Sequence, residues 1–189
     1  MPEFRRKRNR LEVEAYRGRR AYFLTLCVRD RKRVFDDHEL VNALLGVLGK
    51  TCAAHSFVVY AHCFMPDHLH LILVAEGATS ELRRMVRAFK GAGAALARKR
   101  GVSSLWQKGY YDHVLRSGES LDQAAWYVFL NPIRAGLAKT LHAWPFSGSF
   151  VFEWKRLAPP FEAFQPPWKK DAQGGVVGSE ERIKSKMAT

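Results

Sequence analysis

The stretch Met65-Pro66-Asp67-His68-Leu69-His70-Leu71-Ile72-Leu73-Val74 is the one around which the chain is organised. From His68 onward it predicts a β-strand, in which successive side chains point to opposite faces, so His68 and His70 share one face. The other face carries leucines and can pack into a core. Two adjacent imidazoles form a natural site for a divalent metal. On this spacing alone, a solvated sheet face with two incidental histidines explains the pattern equally well.

The charge of the chain indicates a polyanionic partner. The 189 residues include 31 Lys and Arg against 18 Asp and Glu, giving a net charge of +13. Such a field attracts phosphates and favours nucleic acid, with a merely soluble basic protein or a binder of anionic membranes as alternatives. No apolar run reaches the ~18–20 residues of a membrane span. The three cysteines show no paired spacing, and we therefore expect a cytoplasmic protein.

Hydrophobic periodicity predicts one domain with an extension at each end. We expect a basic N-terminal arm over 1–15, a domain over 16–150, and a basic, partly disordered tail over 151–189. Within the domain the predicted order is strand, helix, strand, strand, helix, strand, helix. This order fits an α+β, ferredoxin-like sandwich with one antiparallel sheet and helices on one face.

Local signals place these elements along the chain. Asp36-x-x-Glu39 is a capping box for the first helix, and Gly49 indicates its end. The strand over 57–64 folds back onto the His68 strand through the turn residues Pro66-Asp67. Thr79 or Ser80 is expected to cap the second helix.

The second helix carries a basic face. Arg83, Arg87 and Lys90 fall at i, i+4 and i+7, with Arg84 beside them. Such a face either follows phosphates or is simply solvated, and the sequence does not separate the two. The aromatic residues that follow, Trp106, Tyr110 and Tyr111, can stack on unpaired bases or belong to the core. The core is favoured for at least two of the three.

The last predicted helix brings two polar side chains together. Tyr127 and Asn131 are four residues apart, so they lie on the same helical face or just past its end. A phenol can attack a phosphodiester once it is positioned and the phosphate charge is neutralised, and an amide oxygen can ligate a hard cation. The structural alternatives are that Tyr127 is a core aromatic and that Asn131 only caps the next helix. A zinc set of Cys63 with the two histidines is a further, weaker alternative, because it lacks a regularly spaced fourth ligand.

Three motifs, in order, resemble the single-tyrosine HUH transposases, and most closely the REP-associated tyrosine transposase branch. They are Met65–Leu71, Leu105-Trp106-Gln107 with Tyr111-Asp112, and Tyr127–Leu137. The resemblance covers roughly residues 15–150. Together, the three motifs with compatible spacing are a specific signal.

The resemblance implies a site and a reaction. His68 and His70 would bind Mg²⁺ or Mn²⁺, and Asn131 matches the third ligand. Tyr127 matches the nucleophile that cuts single-stranded DNA, leaving a 5′-phosphotyrosine and a free 3′-OH whose attack reverses the reaction. In this family the substrate is typically a hairpin beside a short guide sequence, and REP-associated members act on palindromic repeats.

The sequence therefore predicts a metal-dependent enzyme that nicks and joins single-stranded or hairpin DNA. Tyr110 and Tyr111 are rival nucleophiles, with Tyr127 preferred for its family match and its Asn131 partner. A non-catalytic, hairpin-binding regulator on the same fold is the alternative function, and monomer or homodimer is left open. The side chains expected to contact DNA are Arg83, Arg84, Arg87, Lys90, Trp106 and Arg134.

Overall fold

A five-stranded antiparallel sheet forms the centre of the protein in a computed structural model, which describes residues 13–157. The spatial order of the strands is β4-β1-β3-β2-β5, and each neighbouring pair is antiparallel. The elements are β1 (Ala21–Cys27), α1 (His38–Ala54), β2 (Phe57–Met65), β3 (His68–Ala75), α2 (Leu82–Lys99), β4 (Tyr111–Val114), α3 (Leu121–Phe129), α4 (Asn131–Arg134) and β5 (Ser147–Gly148). No helix among these is long and apolar enough to cross a bilayer.

The predicted α+β antiparallel fold and its element order are confirmed, including the β2–β3 hairpin. One detail of the prediction is wrong, because the helices do not all lie on one face. Helices α1 and α2 cover the face of the sheet that carries the leucines of β3. Helix α3 packs on the opposite face, against Phe23, Cys63 and Ile72. The central strands are apolar on both faces, and such a sheet needs a covering layer on each.

A β-bulge in β2 adds residues of this strand to the second apolar face. The pairing of β2 with β3 shifts register between Val59 and Ala61, at Tyr60. Before the bulge, Phe57 and Val59 face the α1–α2 layer, whereas after it Ala61 faces α3. A single inserted residue exchanges the two faces of a strand, so the simple alternation of β2 cannot be extended across it.

Three helix boundaries differ from the sequence prediction. The N-cap of α1 is Asp37, whose carboxylate accepts from the backbone N–H of Glu39 and Leu40. Helix α1 also continues past Gly49 to Ala54. This glycine does not end the helix but leaves room for the side chain of Phe150. A Cβ at Gly49 would lie 3.1 Å from the ring of Phe150. The N-cap of α2 is Glu81.

The packed region continues beyond residue 150. Trp154 is buried on α3, where it stacks on Phe129 with ring centroids 4.2 Å apart and meets Trp126 edge-on. The tail predicted over 151–189 therefore contributes to the core at its start. The remainder of that tail and the first twelve residues of the basic arm lie outside the described residues.

Buried His62 is expected to make the stability depend on pH. Burial lowers the pKa of His62 from 6.5 to about 4, opposed only by a backbone hydrogen bond at Phe146. The unfolded chain binds this proton below about pH 6.5 and the folded protein does not, so stability is lost as the pH falls from 6.5 towards 4. At one pKa unit per ~1.4 kcal/mol, the loss is on the order of 3 kcal/mol.

Urea unfolding at pH 7 and pH 4.5 measures this effect, with His62→Gln as the variant that cannot titrate. The unfolding free energy of the unsubstituted protein should drop more between the two pH values than that of the variant. Equal drops in the two proteins would exclude His62 as the source.

Candidate active site

The two histidines of β3 converge on a single point. His68 and His70 lie on the face of the sheet that α3 covers, with their Nε2 atoms 3.0 Å apart and their rings nearly perpendicular. Each Nδ1 has its own partner: Asp67 Oδ1 lies 2.6 Å from that of His68, and Thr25 Oγ1 lies 2.9 Å from that of His70. Both Nε2 atoms are thus directed to the same side, as two imidazole ligands of one cation require.

Electrostatics favour a neutral ring at His68. Burial lowers the pKa of His68, and the nearby Arg31 acts in the same direction, whereas the hydrogen bond and charge of Asp67 oppose them. An imidazole with a lowered pKa is neutral at physiological pH, and only the neutral ring offers a lone pair to a metal.

Tyr127 lies on the same face of the sheet as this pair and shares one neighbour with it. Phe23 of β1 contacts the ring of His70 with centroids 5.6 Å apart and the ring of Tyr127 with centroids 5.9 Å apart. The residues before and after Tyr127 are buried in the core, while Tyr127 itself keeps partial exposure. Helix α3 therefore holds a partly accessible phenol on the same side of the sheet as the two imidazoles.

The residues just after Tyr127 hold the end of its helix. Asn131 Nδ2 donates to the backbone carbonyls of Tyr127 and Val128, at 3.0 and 3.3 Å. Its amide oxygen is then the atom that can ligate a cation. Arg134 places its guanidinium 3.9 Å from the centre of the Tyr127 ring and donates to the Tyr127 carbonyl at 2.5 Å. Arg134, expected to contact DNA, thus lies directly against the candidate nucleophile.

The two rival tyrosines lie on different sides of the sheet. Tyr111 pairs with Thr25 across β1 and β4 and packs with the α3 layer, which brings it to the side of the histidines. Burial, with the charges of Asp112 and Glu119, raises the pKa of Tyr111 to about 12. A phenol with a raised pKa is harder to ionise and a poorer nucleophile. Tyr110 packs with the α1–α2 layer on the other side.

The basic side chains of α2 line a groove of about 570 Å³ between that helix and β4. Arg84 and Arg87 are exposed along it, whereas Arg83 pairs with Glu81 and lies over the Tyr16 ring. Lys90 donates to two carbonyls of the loop before β4. The groove lies on the α1–α2 face, opposite the face that carries the histidines.

Trp106 is placed with the core. Its ring lies between Phe35 and Phe89, with centroids 5.7 Å from each, and its Nε1 is buried. This position agrees with the core interpretation of Trp106, although the residue keeps partial exposure. Sequence reasoning missed Thr25 and Phe23, since their part in the site depends on the pairing of β1 with β3, which no local motif encodes.

Within residues 13–157, no group of three or more His, Cys, Asp or Glu side chains is arranged to hold a metal ion. Cys63 pairs with His70 in register, but burial raises the pKa of its thiol to about 12, and the thiol donates to the Met65 sulfur. The structure therefore brings together two imidazoles, which can serve a divalent cation that takes its other ligands from oxygen atoms.

The family model described as "Transposase IS200 like" matches residues 19–128, which span β1 to most of α3. The chain belongs to the IS200-like transposase family. The match covers more than half of the protein and includes both histidines and Tyr127. The motif-based resemblance to tyrosine transposases is thereby confirmed, and the protein is a transposase of this family.

Relatives of this IS200-like transposase carry more specific names. It is 25% identical over 119 residues to the REP-associated tyrosine transposase of Escherichia coli K12, covering 57% of this chain and 68% of that one. It is 24% identical over 138 residues to a Haemophilus influenzae protein with the provisional name REP-associated tyrosine transposase, covering 67% and 77%. A solved REP-associated tyrosine transposase bound to a REP hairpin shares its fold, with a TM-score of 0.60 and 22% identity over 78% of this chain and 82% of that one.

Proposed function

We propose that this transposase cleaves and rejoins single-stranded DNA at hairpin or palindromic repeats, with Tyr127 as the nucleophile and Mg²⁺ or Mn²⁺ as the cofactor. The observation that carries the proposal is that Tyr127 lies on the same face of the sheet as two imidazoles whose Nε2 atoms converge, with Phe23 in contact with both Tyr127 and His70. The hairpin substrate is proposed by analogy with the structural neighbour, whose bound DNA is a REP hairpin.

The cofactor would be held by His68, His70 and the amide oxygen of Asn131. This set fits a hard cation that completes its coordination with substrate oxygens, because two neutral imidazoles and an amide bind such ions only weakly alone. When bound, the cation supplies charge neutralisation and polarisation of the phosphate.

The covalent step is an exchange of one phosphodiester for another. The Tyr127 phenol oxygen attacks phosphorus and releases its proton to solvent. The bond between phosphorus and the 3′ oxygen breaks, and this oxygen takes up a proton to leave as a 3′-OH. The DNA then remains as a 5′-phosphotyrosine, and attack by a 3′-OH on that ester restores a DNA strand without an external energy source.

The chain contributes positioning to this step. Arg134 stacks on the Tyr127 ring and bonds its carbonyl, so it restrains the phenol and places a positive charge where phenolate character develops. Asn131 holds the end of α3 in the same region. A nucleophile fixed in this way loses little freedom on reaction, which lowers the barrier.

The experiment that tests the proposal is a denaturing gel with labelled single-stranded hairpin DNA, followed by mass spectrometry of the modified peptide. A DNA-linked protein band should form with Mn²⁺ and disappear with a chelator, and the modified residue should be Tyr127. Modification of Tyr111 would identify Tyr111, in the edge strand β4, as the nucleophile. Tight hairpin binding without any linked species would favour a non-catalytic, hairpin-binding regulator.

The groove along α2 is expected to bind the DNA backbone. Arg84→Ala or Arg87→Ala should weaken hairpin binding regardless of sequence and make the plot of log affinity against log salt shallower by about 0.7–0.9, the contribution of one phosphate contact. Fluorescence anisotropy at several salt concentrations measures both quantities.

Arg98→Ala is the matched control, since Arg98 is exposed on the same helix but does not line the groove. The control should keep the salt slope of the unsubstituted protein. If Arg84→Ala and Arg87→Ala also keep the salt slope of the unsubstituted protein, this groove is excluded from the DNA interface.

A further inference from the structure

The outer nitrogens of the two histidines have chemically different partners. His68 Nδ1 faces a carboxylate, Asp67, which can only accept a hydrogen bond when ionised. His70 Nδ1 faces the hydroxyl of Thr25, which can either donate or accept. Asp67 therefore fixes the tautomer of its histidine, whereas Thr25 is compatible with both tautomers.

Asp67 is itself held in place. Arg31 Nε donates to the second carboxylate oxygen of Asp67 at 2.8 Å, and Arg31 Nη1 donates to the Cys27 sulfur at 2.9 Å. Both Asp30 and Arg31 adopt left-handed backbone conformations, with φ of 56° and 55°. L-residues rarely adopt such conformations, and here they occur in the residue that pairs with Asp67 and in the residue before it.

The distance between the two Nε2 atoms then indicates which ring nitrogen of each histidine carries the hydrogen. At 3.0 Å, one Nε2 must donate to the other. Because Asp67 keeps the hydrogen of His68 on Nδ1, His68 Nε2 is the acceptor and His70 Nε2 the donor. In this arrangement the Thr25 hydroxyl donates to His70 Nδ1. A cation bound by both Nε2 atoms instead requires the His70 hydrogen on Nδ1, where the Thr25 hydroxyl must accept it.

We infer that Asp67 and Thr25 are positioning residues of the metal site, with Asp67 fixing the tautomer of His68 and Thr25 reversing its hydrogen bond so that His70 can bind. This inference rests on the metal site of the proposed function. Partners that orient a ligating histidine typically contribute 10–100-fold in metal affinity.

Nuclear magnetic resonance of ring-¹⁵N-labelled histidine tests the tautomers directly. In the protein without added metal, His68 should carry its hydrogen on Nδ1 and His70 on Nε2. Saturating Mg²⁺, which is diamagnetic, should leave the hydrogen of His68 in place and move that of His70 to Nδ1. A His68 ring with its hydrogen on Nε2 would overturn the role of Asp67.

Titration with Mn²⁺ alone, followed by electron paramagnetic resonance, tests the role of Thr25. Thr25→Val keeps the shape of the side chain but removes the hydroxyl, so Mn²⁺ affinity should fall by about 10–100-fold. Thr25→Ser should restore it. Thr51→Val is the matched control, because the Thr51 hydroxyl bonds only a carbonyl within α1, and it should bind Mn²⁺ normally.

The outcomes separate this inference from the proposed function. Unchanged Mn²⁺ affinity in Thr25→Val would overturn the role of Thr25 alone. Unchanged Mn²⁺ affinity in His68→Ala would contradict the metal site itself, whatever the tautomers show. Asp67→Ala should weaken Mn²⁺ binding more than Asp67→Asn, since the amide retains an acceptor oxygen for the His68 hydrogen.

Discussion

Replacing Tyr127 by phenylalanine is expected to abolish the DNA-linked protein species and to lower the rate of strand cleavage by at least about 10³-fold. Removal of a covalent nucleophile leaves only binding and charge stabilisation, so losses of this size or larger are the rule. Hairpin affinity should stay within about twofold, because the ring and its contacts with Phe23 and Arg134 are retained. Single-turnover cleavage of labelled DNA measures the rate, and anisotropy measures the binding.

Tyr111→Phe is the control for this prediction. It removes a hydroxyl on the same side of the sheet, but burial raises the pKa of Tyr111 to about 12, which makes it the poorer nucleophile. This variant should still form the linked species. Cleavage that survives in Tyr127→Phe and is lost in Tyr111→Phe would show that Tyr111, in β4, is the nucleophile.

The fold was largely accessible from the sequence because its signals are local. The alternation in β3 and the turn at Pro66-Asp67 each act within a few residues, and the structure contains both. The position of α3 was not predicted, because the apolar face under it is assembled from three strands, with Phe23, Cys63 and Ile72 as examples. In β2 the bulge at Tyr60 turns the apolar side chains that follow it to this face, which simple alternation does not show.

The candidate site likewise contains residues that local sequence predicts and residues that only the tertiary structure brings in. The two histidines are adjacent in one strand, so their shared face follows from the period of a strand alone. Thr25 reaches His70 only through the register of β1 against β3, across 45 positions of sequence. Arg134 and Trp106 show the same dependence on tertiary packing, which places one on the Tyr127 ring and the other beside Phe35 and Phe89. No local pattern predicts these neighbours, and the expected contacts of both residues with DNA stay predictions.

Replacing His70 by alanine should separate metal binding from DNA binding. His70 supplies one of two converging imidazoles, so Mn²⁺ affinity should fall by at least about 100-fold and cleavage should require correspondingly more metal. Hairpin affinity without metal should be nearly unchanged, because the basic groove along α2 lies on the opposite face of the sheet. Cleavage measured across a Mn²⁺ titration gives the first quantity, and anisotropy in a chelator gives the second.

The matched control is His142→Ala, an exposed histidine in a short turn after α4, which should leave the Mn²⁺ titration unchanged. The form of the loss in His70→Ala also separates a ligand from a structural residue. A ligand deletion moves the metal titration to higher concentration, so excess Mn²⁺ restores part of the activity. A structural defect lowers activity at every Mn²⁺ concentration and lowers the melting temperature. An unchanged titration in His70→Ala would remove this histidine from the metal site, and with it the central geometric argument for the proposed chemistry.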